Sequence, residues 1–577
     1  MPVHNSDIAA IFAEVADLLD LSNADQFRIR AYRNAAQTVS SLSRTAADMV
    51  KHKEDLSQLP GIGKDLAGKI KEIVETGSLT RLKELESQFP AELIALMKIS
   101  DLGPRRVLAL HNKLGISTRD ELEKAARSGK IRELTGFGEK TEQKIIASLE
   151  RLASRKKEDE DRVKFMVVEP VASSLLKYLR KCKGVEQVEA AGSFRRKCET
   201  IADLDLVATC TNSPEMMERF TQYEDVERVL SKGETRSSIA LRSGLQVDLR
   251  TVAESSYGAA LHYFTGSKAH NIAIRRLGQK KGLKINEYGV FRGNKQIAGK
   301  TEDEVYRSVG LSYIEPELRE SRGEIEAATK NALPHLIELK DIKGDLQSHT
   351  KATDGKFSLE EMAEAAHRRG YEYLAITDHS KRVYMAKGLD AHSLAKQIGE
   401  IEKLNGKWKM FRLLQSSEVD ILEDGSLDLP DDILKELDLV VCSIHYNFNL
   451  SKERQTERIL RAMDNRHFNI LAHPTGRRIG KREPYEIDLR RILEAAKQNG
   501  CCVELNAQPE RLDLTDIHVR IAKEMGVKIA ISTDAHSIMD LEYMRFGIAA
   551  ARRGWLECGD VANTRSWGEL KKLLRRR

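Results

Sequence analysis

The sequence contains no long apolar run. Its longest, such as Asp438-Leu-Val-Val-Cys-Ser-Ile444, suit core strands and are far too short to cross a bilayer, so no membrane partner is expected. No secretory leader is expected either, because Met1 to Asp20 is an acidic amphipathic pattern without a basic start. Cysteine is scarce: there are seven, with no Cys-x-x-Cys pair, and only Cys501 and Cys502 are near neighbours. That usage excludes a zinc site built from thiolates and predicts a reducing, cytoplasmic setting. Nor is there a strong charge imbalance, since the net charge is only +6.

What is present is length, 577 residues with 41% hydrophobic content, enough for three or four domains with ordinary cores. Charge is uneven locally. Between residues 251 and 300, nine Lys/Arg stand against two Asp/Glu. Such an excess suits a phosphate backbone, although a solvated basic face would look the same.

Residues 1 to about 155 carry helical spacing with no strand-like run. One pattern recurs there. Leu59-Pro-Gly61-Ile-Gly63, Asp101-Leu-Gly103-Pro104 and Leu134-Thr-Gly136-Phe-Gly138 each lead into a helix rich in cations. Glycines let backbone approach a phosphate, and the N–H groups of the following helix start point at it. The three copies resemble helix-hairpin-helix elements, which grip the DNA backbone without reading sequence. A charged run, "RLASRKKEDED" at 151–161, reads as a helix end or linker. Mixed strands and helices follow to about Thr251. A charged connector, "ELRESRGEIEAATK" from Glu317, precedes the last region. From Lys340 onward short apolar strands such as "YLAIT", "LDLVVCSI", "FNILAH" and "VKIAIST" alternate with helices, the pattern of a parallel β/α barrel.

The stretch "IADLDLVA" at 201–208 alternates like a half-buried strand but puts Asp203 and Asp205 on the same face, where they repel each other. A bound cation would compensate. Upstream stands Gly192-Ser193-Phe-Arg-Arg196, and Asp248 lies in a further strand, "LQVDLRT". A Gly-Ser turn at a helix start can hold a triphosphate, Arg196 can neutralise it, and the three carboxylates can hold two Mg²⁺ or Mn²⁺ ions. A strand with two exposed acids would also read as Asp-x-Asp.

These residues in this order resemble the nucleotidyltransferase palm of family X DNA polymerases, the group containing DNA polymerase beta. "YFTGSKAHN" at 263–271 and "INEYGVF" at 285–291 match that family closely. The resemblance implies that Asp203 and Asp205 bind both metals and that Asp248 assists deprotonation of the primer 3′-hydroxyl. Ser193 and Arg196 would hold the triphosphate, Tyr263, Phe264 and Gly266 would line its sugar, Asn271 would meet its base, and Arg275 would lie near the template minor groove. Ala202 stands where the family commonly has glycine, and Gln246 replaces a basic residue. The first 90 residues resemble the family's lyase domain. Lys69 aligns with its Schiff-base lysine, and Tyr32 in "RAYRNAA" fits too, whereas Asp65 replaces a basic residue.

In the last region His349, Asp354, His379, Glu418, His445, His473, Asp534 and His536 fall almost all at the C-terminal ends of apolar strands. Imidazole with carboxylate suits a Zn²⁺ or Mn²⁺ cluster able to activate water against a phosphodiester. The set resembles the PHP (polymerase and histidinol phosphatase) domain, which implies 3′→5′ exonuclease and abasic-site endonuclease action. That domain normally opens with His-x-His, and here the first position is Gln347. Gln347 should weaken one metal and leave the nuclease weakened or manganese-dependent.

The expected architecture is therefore multidomain: an all-α lyase-like region (1–90), a second helix-hairpin-helix subdomain (91–155), an α+β palm (156–255), a nucleotide- and template-binding subdomain (256–317), a linker (318–338) with a hinge, and a distorted β/α PHP barrel (339–577). The expected activity is gap-filling synthesis in base excision repair with 3′ trimming. The partners are gapped or primer-template DNA and dNTPs, and the protein is expected to be a monomer at a bacterial or archaeal nucleoid. Two other readings stand beside it: a phosphoesterase alone, nucleotide binding being lost through Ala202, and a non-catalytic DNA-end binding factor, against which the three aspartates speak.

Overall fold

The computed structural model describes residues 5–574 apart from 23, 41–45, 60, 90–92, 94–95, 98–101, 135, 140, 144, 147–148 and 150–161. The charged run at 151–161, Pro60, Asp101 and Thr135 therefore lie outside the described residues. The chain forms two units: one of residues up to 162 with 222–229 and 239–245, the other of the remainder.

The first unit is helical. Asn5–Leu21, Gln26–Ser40, Ala46–Lys51, Lys64–Thr76 and Thr80–Glu86 surround a core that includes Phe12, Leu19, Ile29, Val39 and Ile70. Lys64–Thr76 shows why: Leu66, Ile70 and Ile73 recur at helical spacing and all three are buried. Pro104–Leu114 and Arg119–Arg127 build a second core on Val107, Leu110, Leu122 and Phe137. Gly63 and Gly103 are the N-caps of Lys64–Thr76 and Pro104–Leu114, and neither supplies a side-chain cap. The first N–H groups of Lys64–Thr76 are thus left for an outside acceptor, whereas in Pro104–Leu114 the proline has no N–H and Arg106 already donates to the Gly103 carbonyl (2.9 Å).

In the second unit Val185–Ala190, Asp203–Cys210 and Gln246–Thr251 are neighbouring strands in that order. Asp203–Cys210 lies parallel to Gln246–Thr251, with Asp205 opposite Asp248. Leu204 and Leu206 turn into the core at full burial, which leaves Asp203 and Asp205 on the other face. Helices Tyr257–Thr265, Lys268–Lys280 and Glu302–Ser308 then pack with a three-stranded antiparallel sheet, 284–298. A Cβ on Gly258 would come within 2.1 Å of the Thr301 backbone, so only glycine lets these segments touch.

The C-terminal domain is a seven-stranded, all-parallel sheet in chain order from Gly344–Asp345 to Ile529–Ser532. A Ser348–Ala535 bridge brings its first and last edges together, giving a nearly closed barrel. Period-2 alternation divides each strand. Tyr373, Ala375, Leu439, Val441 and Ala530 form the interior cluster, whereas Leu374, Ile376, Val440, Cys442 and Ile531 pack outward under the helices. The terminal helix Trp567–Leu574 adds Leu570 and Leu574 to the interior cluster.

Residues 318–338, expected as a linker with a hinge, are packed instead. Arg319 is fully buried and pairs with Glu302 (2.6 Å), Glu324 is fully buried against His270 (2.7 Å), and Ile337 belongs to the barrel's outer core. The charges that suggested solvent are neutralised internally, and breaking such a buried pair costs about 3–5 kcal/mol.

Candidate active sites

The palm face gathers the three predicted aspartates. Gly192 opens the short helix after Val185–Ala190 at φ +61°, and a Cβ there would sit 2.9 Å from Asp205 Oδ2, so glycine keeps the space beside that carboxylate open. Asp203 is exposed, Asp205 half-buried and Asp248 buried. Burial first, then the Asp203 and Asp248 charges, push Asp205 up to about 7. Ser238 Oγ donates to Asp248 Oδ1, and Gln246 Nε2 donates to its Oδ2 (3.0 Å), so the position that lost a basic residue now orients the third carboxylate. Three convergent carboxylates, one of them held up in this way, fit divalent cations.

Arg196 donates to the Thr265 carbonyl (2.5 Å) and from Nε to Glu320 Oε1 (3.0 Å). The Gly266 backbone, at φ +67°, passes close enough that a Cβ would be 3.3 Å from Arg196 Nη1. Arg250 stacks on Phe264 at 4.4 Å, and Phe264 meets Tyr263 edge-on. Asn271 donates to the Tyr263 carbonyl (2.7 Å), while its buried Oδ1 has no partner. The structure thus joins Gly192 to Asp205, Arg196 to Gly266, and Tyr263 to Phe264 and Asn271. Ser193 is half-buried on the Gly192 turn, and Arg275 stands exposed on Lys268–Lys280. Sequence reasoning missed Glu320, whose partner Arg196 is distant in the chain, and Ser238, which only the fold brings to Asp248.

In the first unit Lys69 pairs with Asp65 and lies over the Tyr32 ring (5.5 Å). Burial alone would lower its pKa, but the hydrogen bond to Asp65 and the neighbouring Tyr32 outweigh that and raise it. Gly61 and Gly136 adopt φ +72° and +90°, the left-handed turns that the two predicted repeats require.

At the barrel mouth all eight predicted ligands converge. Glu418 is the hub: Oε2 lies 3.1 Å from His379 and 3.4 Å from His349, and Oε1 lies 2.9 Å from His473 and 3.4 Å from His445. Asp354 is 3.4 Å from His379 and 3.3 Å from His536, and Asp534 is 3.2 Å from His349. Burial would lower His536, yet Asp354 and Asp534 hold it up to about 10. Burial would raise Glu418, but the surrounding imidazoles hold it well below the usual range. His473 and Asp534 sit at φ +27° and +54°, strained for these residues and a mark of a functional position.

Both ring nitrogens of His349, Nδ1 of His379 and both amide atoms of Gln347 are buried without hydrogen-bond partners. Orphaned donors of this kind, next to three acids, fit a metal cluster. Asp420 accepts from the His445 backbone N–H (3.1 Å) and faces its Nδ1 (3.2 Å), which orients the ring. Besides Asp420, two groups escaped the sequence reading: Arg511, whose Nε is 3.5 Å from Asp534, and Asn506, which donates to Asp534 (3.1 Å). Only their "ELNAQPER" context after a barrel strand hints at them.

Residues 3–79 match the helix-hairpin-helix domain family, 93–151 the SAM-like helix-hairpin-helix tandem, 260–320 the DNA polymerase beta thumb and 345–508 the PHP domain. The chain is 38% identical over 578 residues to a DNA polymerase/3'-5' exonuclease PolX of Bacillus subtilis (strain 168), covering 100% of both chains. It is 23% identical over 360 residues to DNA polymerase lambda of Arabidopsis thaliana, covering 55% of this chain and 62% of that one. No helix among the described residues is long and apolar enough to cross a membrane.

Proposed function

Since the chain belongs to the PolX-type family X DNA polymerase/3'-5' exonucleases, we propose that it fills short gaps during base excision repair and trims 3′ ends at a second centre. One observation carries the reading: a three-carboxylate face in the palm and a mouth on the barrel that gathers eight candidate ligands coexist in one chain.

In the palm, Asp203, Asp205 and Asp248 would hold Mg²⁺ or Mn²⁺, which neutralises the triphosphate and favours loss of pyrophosphate. Ser193 and Arg196 bind that triphosphate beside Gly192. Asp248, oriented by Ser238 and Gln246, takes the proton of the primer 3′-hydroxyl. Tyr263, Phe264 and Gly266 bound the sugar, and the unpartnered Asn271 Oδ1 offers an acceptor to the base edge. Arg275 faces the template, and the glycine turns at Gly61, Gly63, Gly103, Gly136 and Gly138 take DNA phosphates.

At the barrel, the eight ligands would hold a Mn²⁺ or Zn²⁺ cluster, which supplies an activated water and charge neutralisation at the phosphodiester. Arg511 offers guanidinium donors to a phosphate oxygen beside Asp534. Gln347, with an amide oxygen in place of an imidazole nitrogen, weakens the affinity for one metal. Metal analysis of Gln347→His should find tighter binding and higher occupancy at that position, and equal occupancy in both proteins would contradict the assignment. Lys69, kept charged by Asp65, suits a 5′-phosphate contact better than a Schiff base.

The test is kcat/KM for primer extension on a one-nucleotide gap with a 5′-phosphate against an open primer-template. A clear preference for the gap is expected. Equal values on both would remove the gap-filling reading.

A further inference from the structure

The carboxylate that holds Arg196 is itself held from the barrel domain. Glu320 Oε1 receives Arg196 Nε at 3.0 Å and Arg553 Nη1 at 2.9 Å, so two guanidinium groups share one oxygen. Arg553 also donates from Nη1 to the Arg196 backbone carbonyl (2.8 Å), and its Nη2 pairs with Asp516 (2.8 Å). All three members of the bridge are largely enclosed: the side chains of Arg196, Glu320 and Arg553 are 14%, 16% and 10% exposed. The contact is built rather than incidental. Arg553 ends the helix Met544–Arg553, and the preceding Arg552 pairs with Glu317 (2.7 Å) three residues before Glu320. Arg322 reaches the same Asp516 (2.9 Å), and Arg520 donates to the Arg322 carbonyl (2.6 Å).

We propose that Arg553 of the exonuclease domain is a positioning residue for DNA synthesis: by sharing Glu320 and bracing the Arg196 backbone, it keeps the Arg196 guanidinium available to the nucleotide triphosphate. The inference rests on the reading of Arg196 given above. Arg196 has two competing anions, the Glu320 carboxylate and the incoming triphosphate. With Arg553 in place, Glu320 divides its charge between two cations. Without Arg553, Arg196 is the one cation left on Glu320, beside the neutral Cys198 thiol (3.6 Å), in a site screened from water, where a pair is stronger than on the surface. Arg196 is then tied down, and its loose backbone carbonyl lets the turn after Gly192 shift. Burial and its two arginines together leave Glu320 below the ordinary carboxylate range, with the arginines prevailing, so it is charged in this role.

The test is steady-state dNTP incorporation on gapped DNA by full-length Arg553→Met, Arg553→Lys, Glu320→Gln, Arg553→Met/Glu320→Gln and Arg196→Ala proteins, with 3′ shortening followed in the same preparations. Arg553→Met should raise the dNTP KM about tenfold, the effect of losing one charge-assisted contact, while kcat changes less than about twofold. Exonuclease activity should be unchanged, which shows that the fold is kept. Arg553→Lys should recover part of the loss. Neutralising Glu320 should bring the double variant back toward the parent KM, whereas Glu320→Gln alone should not raise it. An unchanged KM in Arg553→Met beside a raised one in Arg196→Ala overturns the inference alone, as does a raised KM in Glu320→Gln, which would make the bridge a scaffold. If Arg196→Ala leaves KM unchanged, the reading of Arg196 falls and this inference with it.

Discussion

At the scale of the residue, Asp205 carries the clearest consequence. Its pKa in the fold is near 7 against an ordinary 3.8, so across that window the folded state keeps a proton that the unfolded chain has lost. Stability contributed by this group is complete below about 4, falls as pH rises and is gone above about 7, an effect on the order of 4 kcal/mol. In EDTA, the melting temperature should therefore drop between pH 5 and pH 8 for the parent protein and much less for Asp205→Asn. Added Mg²⁺ should reverse the order at pH 8. Parallel profiles in the two proteins would contradict this. Lys69 gives a second case. Removing the Asp65 carboxylate takes away the largest of the causes that raise its pKa and leaves burial, which lowers it, opposed only by Tyr32. Asp65→Ala should thus increase borohydride trapping of the protein on DNA bearing a 5′-deoxyribose phosphate; no increase would mean that Asp65 does not hold Lys69 in its charged form. Both aspartates were legible as problems in the sequence, one as a clash within Asp-x-Asp and one as a lost basic residue. The Ser238 hydroxyl that holds the neighbouring Asp248 was not, because only folding brings it there.

At the scale of the element, the barrel strands were readable as short apolar runs between helices because both of their faces are buried, Tyr373 and Ala375 inside the barrel and Leu374 and Ile376 under the helices. The eight candidate ligands followed, since almost all stand at or near a strand's C-terminal end. The stretch 318–338 was not readable in the same way. A run such as "ELRESRGE" looks solvated when pairing cannot be seen, yet Arg319 and Glu324 are fully buried against Glu302 and His270. Long-range charge pairs leave no local periodic signal, and for the same reason the Arg196–Glu320–Arg553 bridge could not be found from sequence.

At the scale of the whole molecule, the second unit places a carboxylate face and a histidine-rich mouth in one polypeptide, and full-length similarity to a polymerase/exonuclease covers both. The central claim is that these are two separate chemical centres. The most direct measurement follows a labelled primer on 5′-phosphorylated, one-nucleotide-gapped DNA, with and without dNTPs, for the parent, Asp205→Ala and His349→Ala proteins. Extension should be lost only in Asp205→Ala, and 3′ shortening only in His349→Ala. Loss of both activities in either variant, or shortening that survives His349→Ala, would contradict the account.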